Sequence, residues 1–256
     1  MKLNPKDQFN ASESNVREAL MRYGLELTSF EPAKTGIENT TLLVKTGRGG
    51  FVLRIFRQNK KTDALIDEEI RFTNFLGQNK LPVPAIISNV EEQYLTHLKL
   101  DSLQWQMILM EQMTGVHAEH YLMPLIESMA HIQAKMHTLS ESYKYNDESF
   151  PMLRELRETV IIKQIVKEGI DERLLAFLSR AENYVLQLSH KLPSGICHLD
   201  YSKGNVLVDD SSNVSAILDF DDMEAAPYAI CLGFALYHLI LGGASKDERQ
   251  EYLRQY

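Results

Sequence analysis

Three oxygen-bearing side chains stand close together in the sequence between residues 198 and 222. Asp200 and Asn205 are five positions apart, and Asp219 follows the apolar run 216–218. A carboxylate at the end of a buried strand is costly to hold unless its charge is compensated, and a metal ion is the usual compensation. Because Mg²⁺ prefers hard oxygen ligands, Asn205 and Asp219 are predicted to hold Mg²⁺ together with phosphate oxygens of ATP.

Asp200 is predicted to have a different role from the two metal ligands. A carboxylate just before a metal-binding asparagine could accept the proton of an attacking hydroxyl group. A proton acceptor, two metal ligands and an oriented nucleotide are the parts that phosphoryl transfer needs. The spacing of these residues therefore predicts that Asp200 is the catalytic residue of such a reaction.

Simpler interpretations exist for several polar residues in this region. The acidic run 219–222, taken alone, would be a solvated turn after a strand. Asp209 and Asp210 are predicted to be residues of a hairpin turn, where Asp is common. His198 and His137 are interpreted as packing and hydrogen-bonding residues rather than bases. Only the combination of Asp200 with Asn205 and Asp219 favours chemistry over these readings.

The first 113 residues predict a small β-sheet with helices. Ser12 is placed to cap a first helix that ends near Gly24, and the turn 47–50 connects two strands as a hairpin. Apolar residues at three- and four-residue spacing then predict a helix that must end before the prolines of 81–84. The predicted strands are 25–33, 40–45, 50–57, 94–100 and 105–113, and the second helix is 65–76.

The rest of the chain is predicted to be mostly helical. Amphipathic patterns indicate helices at 122–139, 153–166 and 174–192, and an apolar helix at 229–241. Short strand-like pieces interrupt them between 195 and 222. The predicted fold class is therefore α+β, with a β-rich lobe at 1–113 and a helical lobe at 114–256, which the family resemblance described below implies to be the nucleotide-binding and the catalytic lobe.

Composition excludes some partners and compartments. The formal net charge of −8 argues against nucleic acid as the main partner, because phosphate backbones bind basic surfaces. The sequence contains no run of about 18 apolar residues, so no membrane span is predicted. The polar N-terminus lacks the apolar core of a signal peptide, which favours the cytoplasm. The two cysteines, Cys197 and Cys231, are predicted to be free thiols.

The motif His198-Leu199-Asp200, four residues and Asn205, followed by the sequence ILDFDD at 217–222, resembles the aminoglycoside phosphotransferase and choline kinase family. Other segments resemble that family in the same order along the chain: FVLRIFR at 51–57, EEIRFTNFLGQNKLPVP at 68–84, MILMEQMTG at 107–115 and MAHIQAKMH at 129–137. The resemblance covers nearly the whole chain and implies a two-lobed protein-kinase-like fold. It also implies an ATP- and Mg²⁺-dependent kinase that acts on a small-molecule alcohol.

The resemblance implies roles for particular residues. Arg54 takes the place of the family's phosphate-contacting cation, and Glu69 the place of its ion-pair partner, with Glu68 as the alternative register. Asp200, Asn205 and Asp219 keep the roles given above. The residues expected around the nucleotide are Gly36, Asn39 and Thr40 in a turn over the phosphates, and the backbone of Glu111 to Met113 beside the adenine.

Three features depart from the family pattern. Leu199 stands where relatives usually have Gly, and Cys231 stands where relatives commonly have an Asp that braces the catalytic loop. The chain also ends at Tyr256, before helices that relatives use in their acceptor sites, so we expect this sequence to be a fragment. The alternative to an active kinase is therefore a nucleotide-binding member with impaired catalysis.

Other functions fit the sequence less well. A nucleotidyl- or glycosyltransferase that uses Asp219 and Asp221 as paired metal ligands would need alternating strands and helices, which the pattern does not show. A protein kinase would need a longer segment between Asp219 and the last helix. The leading hypothesis is transfer of the ATP γ-phosphate to a metabolite or an aminoglycoside-like antibiotic, with the acceptor and the oligomeric state left open.

Overall fold

The computed structural model describes residues 9–33, 39–100, 102–145, 180, 191–242 and 245–256. The chain divides into two compact units. The first unit comprises Met1–Val116 and Ser215–Leu218, and the second comprises His117–Val214 and Asp219–Tyr256. Each unit therefore contains two separate stretches of the chain.

The first unit is built on an antiparallel sheet of six strands. The strand order is β1-β2-β3-β6-β4, and β5 also pairs with β6. Its elements in chain order are α1 (Glu13–Met21), β1 (Leu27–Pro32), β2 (Thr40–Thr46), β3 (Gly49–Ile55), α2 (Asp63–Gln78), β4 (Ile86–Ile87), β5 (Thr96–Leu100) and β6 (Leu103–Glu111).

Strand β3 shows how this sheet separates two apolar clusters. Leu53 and Ile55 belong to the cluster that also contains Trp105 and the buried residues of α1. Ile108, which pairs with Arg54 across the sheet, belongs to the other cluster, which contains Ile66 and Ile70 of α2. Because neighbouring side chains of a strand point to opposite faces, Arg54 lies on the α2 face.

Both helices of the first unit begin at a polar cap. The Ser12 hydroxyl accepts a hydrogen bond from the Asn15 backbone N–H, and the Thr62 hydroxyl accepts one from the Leu65 N–H at 3.4 Å. Such caps satisfy N–H groups that have no partner within the helix. After α2 ends, Lys80 adopts a φ of 63° immediately before the proline-containing segment 81–84. The chain direction therefore changes where the prolines were expected to stop the helix.

A short segment from the C-terminal half completes the first unit. The Ile217 N–H donates to the Pro82 carbonyl at 2.7 Å, and the Ser215 hydroxyl donates to the Thr114 carbonyl at 3.0 Å. Ile217 is fully buried. These contacts tie residues 215–218, most of strand β10 (Val214–Ile217), to segments more than 90 positions earlier in the sequence.

The second unit is mostly helical in the part that the structure describes. Helix α3 (Met123–Ser142) buries residues at three- and four-residue spacing, among them Ile126, Met129, Gln133 and Met136. The remaining elements are β7 (Val116–His117, at the boundary), β8 (Ser194–Cys197), a 3₁₀ turn (Lys203–Asn205), β9 (Val206–Val208), β11 (Glu224–Pro227), α4 (Tyr228–Gly242) and α5 (Lys246–Gln255). Strands β8 and β11 pair antiparallel.

Most of the predicted elements are confirmed within one to three residues. The described elements that were not predicted are the two-residue strands β4 and β7, the 3₁₀ turn, strand β11 and helix α5. The predicted helix 153–166 and nearly all of 174–192 lie outside the described residues. None of the helices that the structure describes is both long and apolar enough to cross a membrane. Both cysteines are free and buried, as expected.

Candidate active site

Asp200 and Asn205 are joined directly in the second unit. The Asn205 Nδ2 donates to the Asp200 Oδ2 at 2.6 Å and to the Asp200 backbone carbonyl at 2.9 Å. The intervening backbone is folded by two further hydrogen bonds, from the Ser202 N–H to the Asp200 carbonyl and from the Asn205 N–H to the Ser202 carbonyl, both at 3.0 Å. A tight turn thus brings the two side chains together.

Leu199 and Asp219, two residues of the second unit, adopt left-handed backbone conformations. Leu199, next to Asp200, has φ 60°, and Asp219 has φ 62°. Only Gly occupies this region without a steric cost, and for other residues the cost is about 1–2 kcal/mol. The departure from glycine at position 199 therefore keeps the conformation that glycine would favour, at an energetic cost. Strain of this kind is concentrated at functional sites in proteins.

His198 is part of the apolar support under this turn. Its side chain is buried and its ring lies 4.7 Å from the Phe220 ring and 5.8 Å from the Tyr201 ring. Phe220 directly follows Asp219 and is itself buried. The packing interpretation of His198 agrees with this position, because a residue enclosed by two aromatic rings fixes the turn rather than meeting a substrate.

Two side chains that the sequence did not single out also contact this turn. His238 of α4 places its Nε2 3.5 Å from the Asp200 Oδ1. The Tyr121 hydroxyl accepts a hydrogen bond from the Lys203 backbone N–H at 3.1 Å, and Lys203 Nζ donates to the Glu119 carbonyl at 2.5 Å. Burial is the main cause that raises the pKa of Tyr121, so its hydroxyl stays protonated at neutral pH. His238 lies in a mostly apolar helix, where no periodicity distinguishes it.

The candidate phosphate-binding residues lie in the first unit, where the structure shows a buried ion cluster of Arg54, Lys61 and Glu69. Arg54 Nη1 donates to the Glu69 Oε1 at 2.8 Å, and Lys61 Nζ donates to the Glu69 Oε2 at 2.9 Å. The three side chains are 8%, 12% and 4% exposed. Two cations thus share the Glu69 carboxylate.

The neighbouring Glu68 takes a different partner. Its carboxylate pairs with Arg71, one turn along the same helix, although Glu68 is fully buried too. Of the two registers that the sequence left open, the structure therefore gives Glu69 the ion pair with Arg54. Lys61 was missed because it precedes the N-cap of α2, outside any periodic pattern.

The predicted turn over the phosphates is described only in part. Gly36 lies outside the described residues. Asn39 Oδ1 accepts a hydrogen bond from the Arg57 backbone N–H at 3.2 Å, and Thr40 opens β2, where it pairs with Ile55. Asn39 therefore ties the start of β2 to the end of β3.

The predicted adenine-binding segment follows the end of β6. Glu111 is exposed, and its backbone N–H donates to the Ala85 carbonyl at 2.9 Å. Because this N–H is used within the sheet, Glu111 can offer a ligand only its carbonyl oxygen. Met113 lies beyond the last strand residue and is half-buried. The Glu111 carbonyl would thus supply a hydrogen-bond acceptor, and the Met113 N–H, two residues further on, would supply a donor.

The donor set of the catalytic turn suits a hard divalent cation. The Asn205 amide uses its nitrogen toward Asp200, which leaves its oxygen as the atom that a cation would meet. Asp219 adds carboxylate oxygens. Oxygen ligands of this type are those that Mg²⁺ prefers, and Mg²⁺ usually keeps several water or phosphate ligands besides. Asn205 and Asp219 are thus chemically suited to hold Mg²⁺.

Known proteins resemble this chain over nearly its whole length. The chain is 22% identical over 232 residues to the homoserine kinase of Methylobacillus flagellatus, covering 90% of this chain and 67% of the relative. An amicoumacin kinase in complex with AMP-PNP, Ca²⁺ and its ligand superposes with a TM-score of 0.78 at 15% identity, covering 96% of this chain and 76% of that one. A microcompartment-associated aminopropanol kinase superposes with a TM-score of 0.70 at 18% identity, covering 96% and 80%.

These likenesses confirm the α+β, kinase-like fold, with an antiparallel sheet and helices in the first unit. The family and its kinase relatives support small-molecule kinase activity, that is, phosphorylation of hydroxyl-bearing small molecules. The model of the phosphotransferase enzyme family matches residues 29–256. This chain therefore belongs to the phosphotransferase enzyme family.

Proposed function

We propose that this chain transfers the γ-phosphate of Mg·ATP to the hydroxyl group of a small molecule, with Asp200 as the catalytic residue. The hydrogen-bonded pair of Asp200 and Asn205 carries this proposal. The pair places a proton acceptor and an amide oxygen on one tight turn, as phosphoryl transfer to an alcohol requires. Asp200 would accept the hydroxyl proton as the alcohol oxygen attacks.

The ion cluster of the first unit supports nucleotide binding. Its two cations are of the type that binds phosphate groups, and Glu69 contacts both of them before any nucleotide is bound. Pre-arranged charges of this kind need little reorganisation when charge develops on the transferred group. Arg54 and Lys61 would contact the ATP phosphates. The Glu111 carbonyl and the Met113 N–H would contact the adenine.

Asn205 and Asp219 would hold Mg²⁺, which neutralises the charge that develops on the phosphate oxygens when it is bound. His238 would keep the Asp200 carboxylate in position through Oδ1, while Asn205 does so through Oδ2. With both oxygens restrained, the carboxylate has one orientation toward an approaching hydroxyl. This restraint favours a productive geometry over a freely rotating base.

For the molecule that accepts the phosphate, we propose a chemical class and not a single compound. Relatives are named for homoserine, aminopropanol and amicoumacin. We therefore expect an alcohol that also carries an amine, either a metabolite or an aminoglycoside-like antibiotic. The composition predicts that neither nucleic acid nor a membrane is a partner of this chain. It also predicts a cytoplasmic location.

The test is ADP release from Mg·ATP in the presence of a panel of alcohols: homoserine, aminopropanol, ethanolamine, choline, methylthioribose, spectinomycin and several aminoglycosides. Asp200→Asn should lower substrate-dependent turnover by about 10²- to 10⁴-fold, the usual contribution of a general base. Asp210→Asn is the matched control, because Asp210 is an exposed turn carboxylate ten residues further along. It should leave turnover unchanged.

Nucleotide binding separates the proposal from the alternative of impaired catalysis. Calorimetric titration with a non-hydrolysable ATP analogue should show binding to the wild type and to Asp200→Asn alike. Binding without turnover on any alcohol would favour a nucleotide-binding protein that has lost catalysis. Equal turnover by Asp200→Asn and the wild type would remove Asp200 from the mechanism.

A further inference from the structure

Three potential metal ligands converge in the second unit, and one of them lies on the strand that leads into the catalytic turn. His137 of α3, Cys197 of β8 and Cys231 of α4 each offer one ligand atom, and these atoms all lie within 4.8 Å of one another. Both cysteines are 1% exposed and belong to one small apolar cluster with Ala226. Three different elements thus contribute one side chain each to a single buried point.

The histidine of this cluster has an unsatisfied atom. Nε2 of His137 is buried, and no residue that the structure describes gives it a hydrogen bond. A buried polar atom without a partner costs about 1–3 kcal/mol, and such atoms are rare in folded proteins. Coordination of a cation would satisfy it. This observation is independent of the clustering of the two thiols.

We propose that His137, Cys197 and Cys231 form a binding site for a soft or borderline metal cation, with Zn²⁺ as the expected occupant. Two thiolates and one imidazole match the ligands that Zn²⁺ takes in proteins. Zinc–ligand bonds of about 2.0–2.3 Å place tetrahedral ligand atoms about 3.4–3.8 Å apart, so separations of up to 4.8 Å need to contract by no more than about 1–1.4 Å. The fourth position is left to water or an external ligand.

The two thiols share their acidity unequally. The neighbouring Cys197 thiol is the main cause that lowers the pKa of Cys231, while burial opposes it and the His137 imidazole and the Gln133 amide add to it. The same interaction raises the pKa of Cys197. Metal ligation by cysteine requires a deprotonated thiol, so binding of a cation here would release protons.

Outer contacts already hold the ligands in place. Gln133 Nε2 donates to the Cys231 Sγ at 3.2 Å. The His137 ring stacks on Tyr228, with ring centroids 4.4 Å apart and planes 13° apart. Tyr228 in turn lies so close to Gly195 of β8 that any side chain at position 195 would collide with it. Partners of this kind orient the first ligands of metal sites.

The site would support the catalytic turn without taking part in the reaction. Cys197 is three residues before Asp200, and Leu199 packs against the cluster formed by Cys197 and Cys231. A metal bound here would fasten α3 and α4 to the strand that leads into the strained residue. Soft sulfur ligands would keep this site chemically distinct from a Mg²⁺ site built of oxygen, because Mg²⁺ does not compete for thiolates.

The first test uses the full chain, reduced with a thiol-free reductant and stripped of metal. Titration with Co²⁺ should produce thiolate-to-cobalt charge-transfer bands and the visible bands of a tetrahedral ion, saturating at one equivalent. One equivalent of Zn²⁺ should abolish both. Zn²⁺ should also raise the melting temperature, since a ligand that binds only the folded state stabilises it.

Variants assign the signal to the proposed ligands. Cys231→Ser should lose about half of the charge-transfer intensity if Co²⁺ still binds through Cys197, and all of it if Co²⁺ no longer binds. His137→Gln should weaken Co²⁺ binding by tenfold or more. His131→Gln is the matched control, because His131 is exposed on the same helix. It should bind Co²⁺ as the wild type does. Circular dichroism checks that each variant is folded.

Three results would overturn the proposal. One is a folded, reduced wild-type chain that shows no charge-transfer band with Co²⁺. Another is an equal loss in His131→Gln and His137→Gln, which would indicate adventitious surface binding. The third is a Cys197–Cys231 disulfide in the isolated protein, found by mass spectrometry, together with no uptake of metal after reduction. None of these readouts depends on kinase activity, so they test the metal site independently of the proposed function.

Discussion

The ion cluster of the first unit and the catalytic turn of the second are held in place by different means. Arg54, Lys61 and Glu69 are almost completely buried and neutralise one another in part. Asp200 and its neighbour His238 are 42% and 30% exposed. Their positions depend on hydrogen bonds within a short turn and on the left-handed conformation of Leu199.

This difference predicts where each region is vulnerable. A buried ion cluster fails when one charge is removed, since the remaining charges are then uncompensated in a medium of low dielectric constant. An exposed turn tolerates changes of charge but depends on backbone geometry. Changes in the ion cluster should therefore appear first in stability and nucleotide affinity. Changes around the turn should appear in turnover and in small differences of stability.

The largest effect is expected for Glu69→Ala. Removing the carboxylate breaks the buried ion pairs of Glu69 with Arg54 and with Lys61, and breaking such a buried pair costs about 3–5 kcal/mol. The free energy of unfolding in urea measures the loss. Glu13→Ala is the control, because its ion pair with Arg17 is 50–66% exposed and should contribute under about 0.5 kcal/mol. Equal losses in both variants would contradict the distinction between the buried cluster and the surface.

Lys61→Met should come next. The Arg54–Glu69 pair stays intact, but the cluster loses one of its two cations, so the KM for ATP should rise about tenfold if Lys61 contacts the phosphates. Steady-state kinetics measure this rise, and unfolding should show a smaller loss of stability than Glu69→Ala. Lys45→Met, at an exposed position of β2, should leave the KM for ATP unchanged. A KM unaffected by Lys61→Met would mean that Lys61 serves only the fold.

A pair of variants at position 199 tests the strain in the catalytic turn. Leu199→Ala and Leu199→Gly lose the same packing, but only glycine tolerates a φ of 60° freely. Leu199→Gly should therefore be the more stable of the two by about 1 kcal/mol, the reverse of the order in ordinary helices and strands. Chemical denaturation compares them. A more stable Leu199→Ala would show that the turn is not strained there.

The smallest effect is expected for His238→Gln. Losing one restraint on the Asp200 carboxylate removes an interaction of about 0.5–1 kcal/mol, so kcat should fall about two- to fivefold while the KM for ATP stays constant. The split between kcat and KM separates a positioning role from a general loss of structure. His131→Gln should change neither constant. An effect on KM alone would assign His238 to binding instead.

Some features could be predicted because they follow from a single local rule. Alternation along β3 placed Arg54 on the face opposite Leu53 and Ile55, and the proline segment 81–84 ended α2. Other features needed the folded chain. Glu68 and Glu69 are both buried, and only the packing of α2 on the sheet decides which of them meets Arg54.

The missed elements have separate physical reasons. Strand β4 has two residues, too few to show alternation, and β11 follows an acidic turn that hides its start. Helix α5 did have a readable signal, since Ser245 and Glu248 form a capping box. His137 was interpreted as a packing residue, and its stacking on Tyr228 agrees with that. Its approach to two cysteines more than 50 positions away in the sequence has no local signature.

The contribution of residues 215–218 to the first unit bears on how the protein is made. Hydrogen bonds from Ser215 and Ile217 complete a unit whose other residues end at position 116. A ribosome adding about 5–20 residues per second needs on the order of 5–20 seconds to cover the intervening hundred residues. During that interval the sheet and its two helices emerge without their final segment. The apolar surface that Ile217 covers in the folded protein stays exposed to water during this interval, and transiently exposed apolar surface is what makes folding intermediates prone to aggregate.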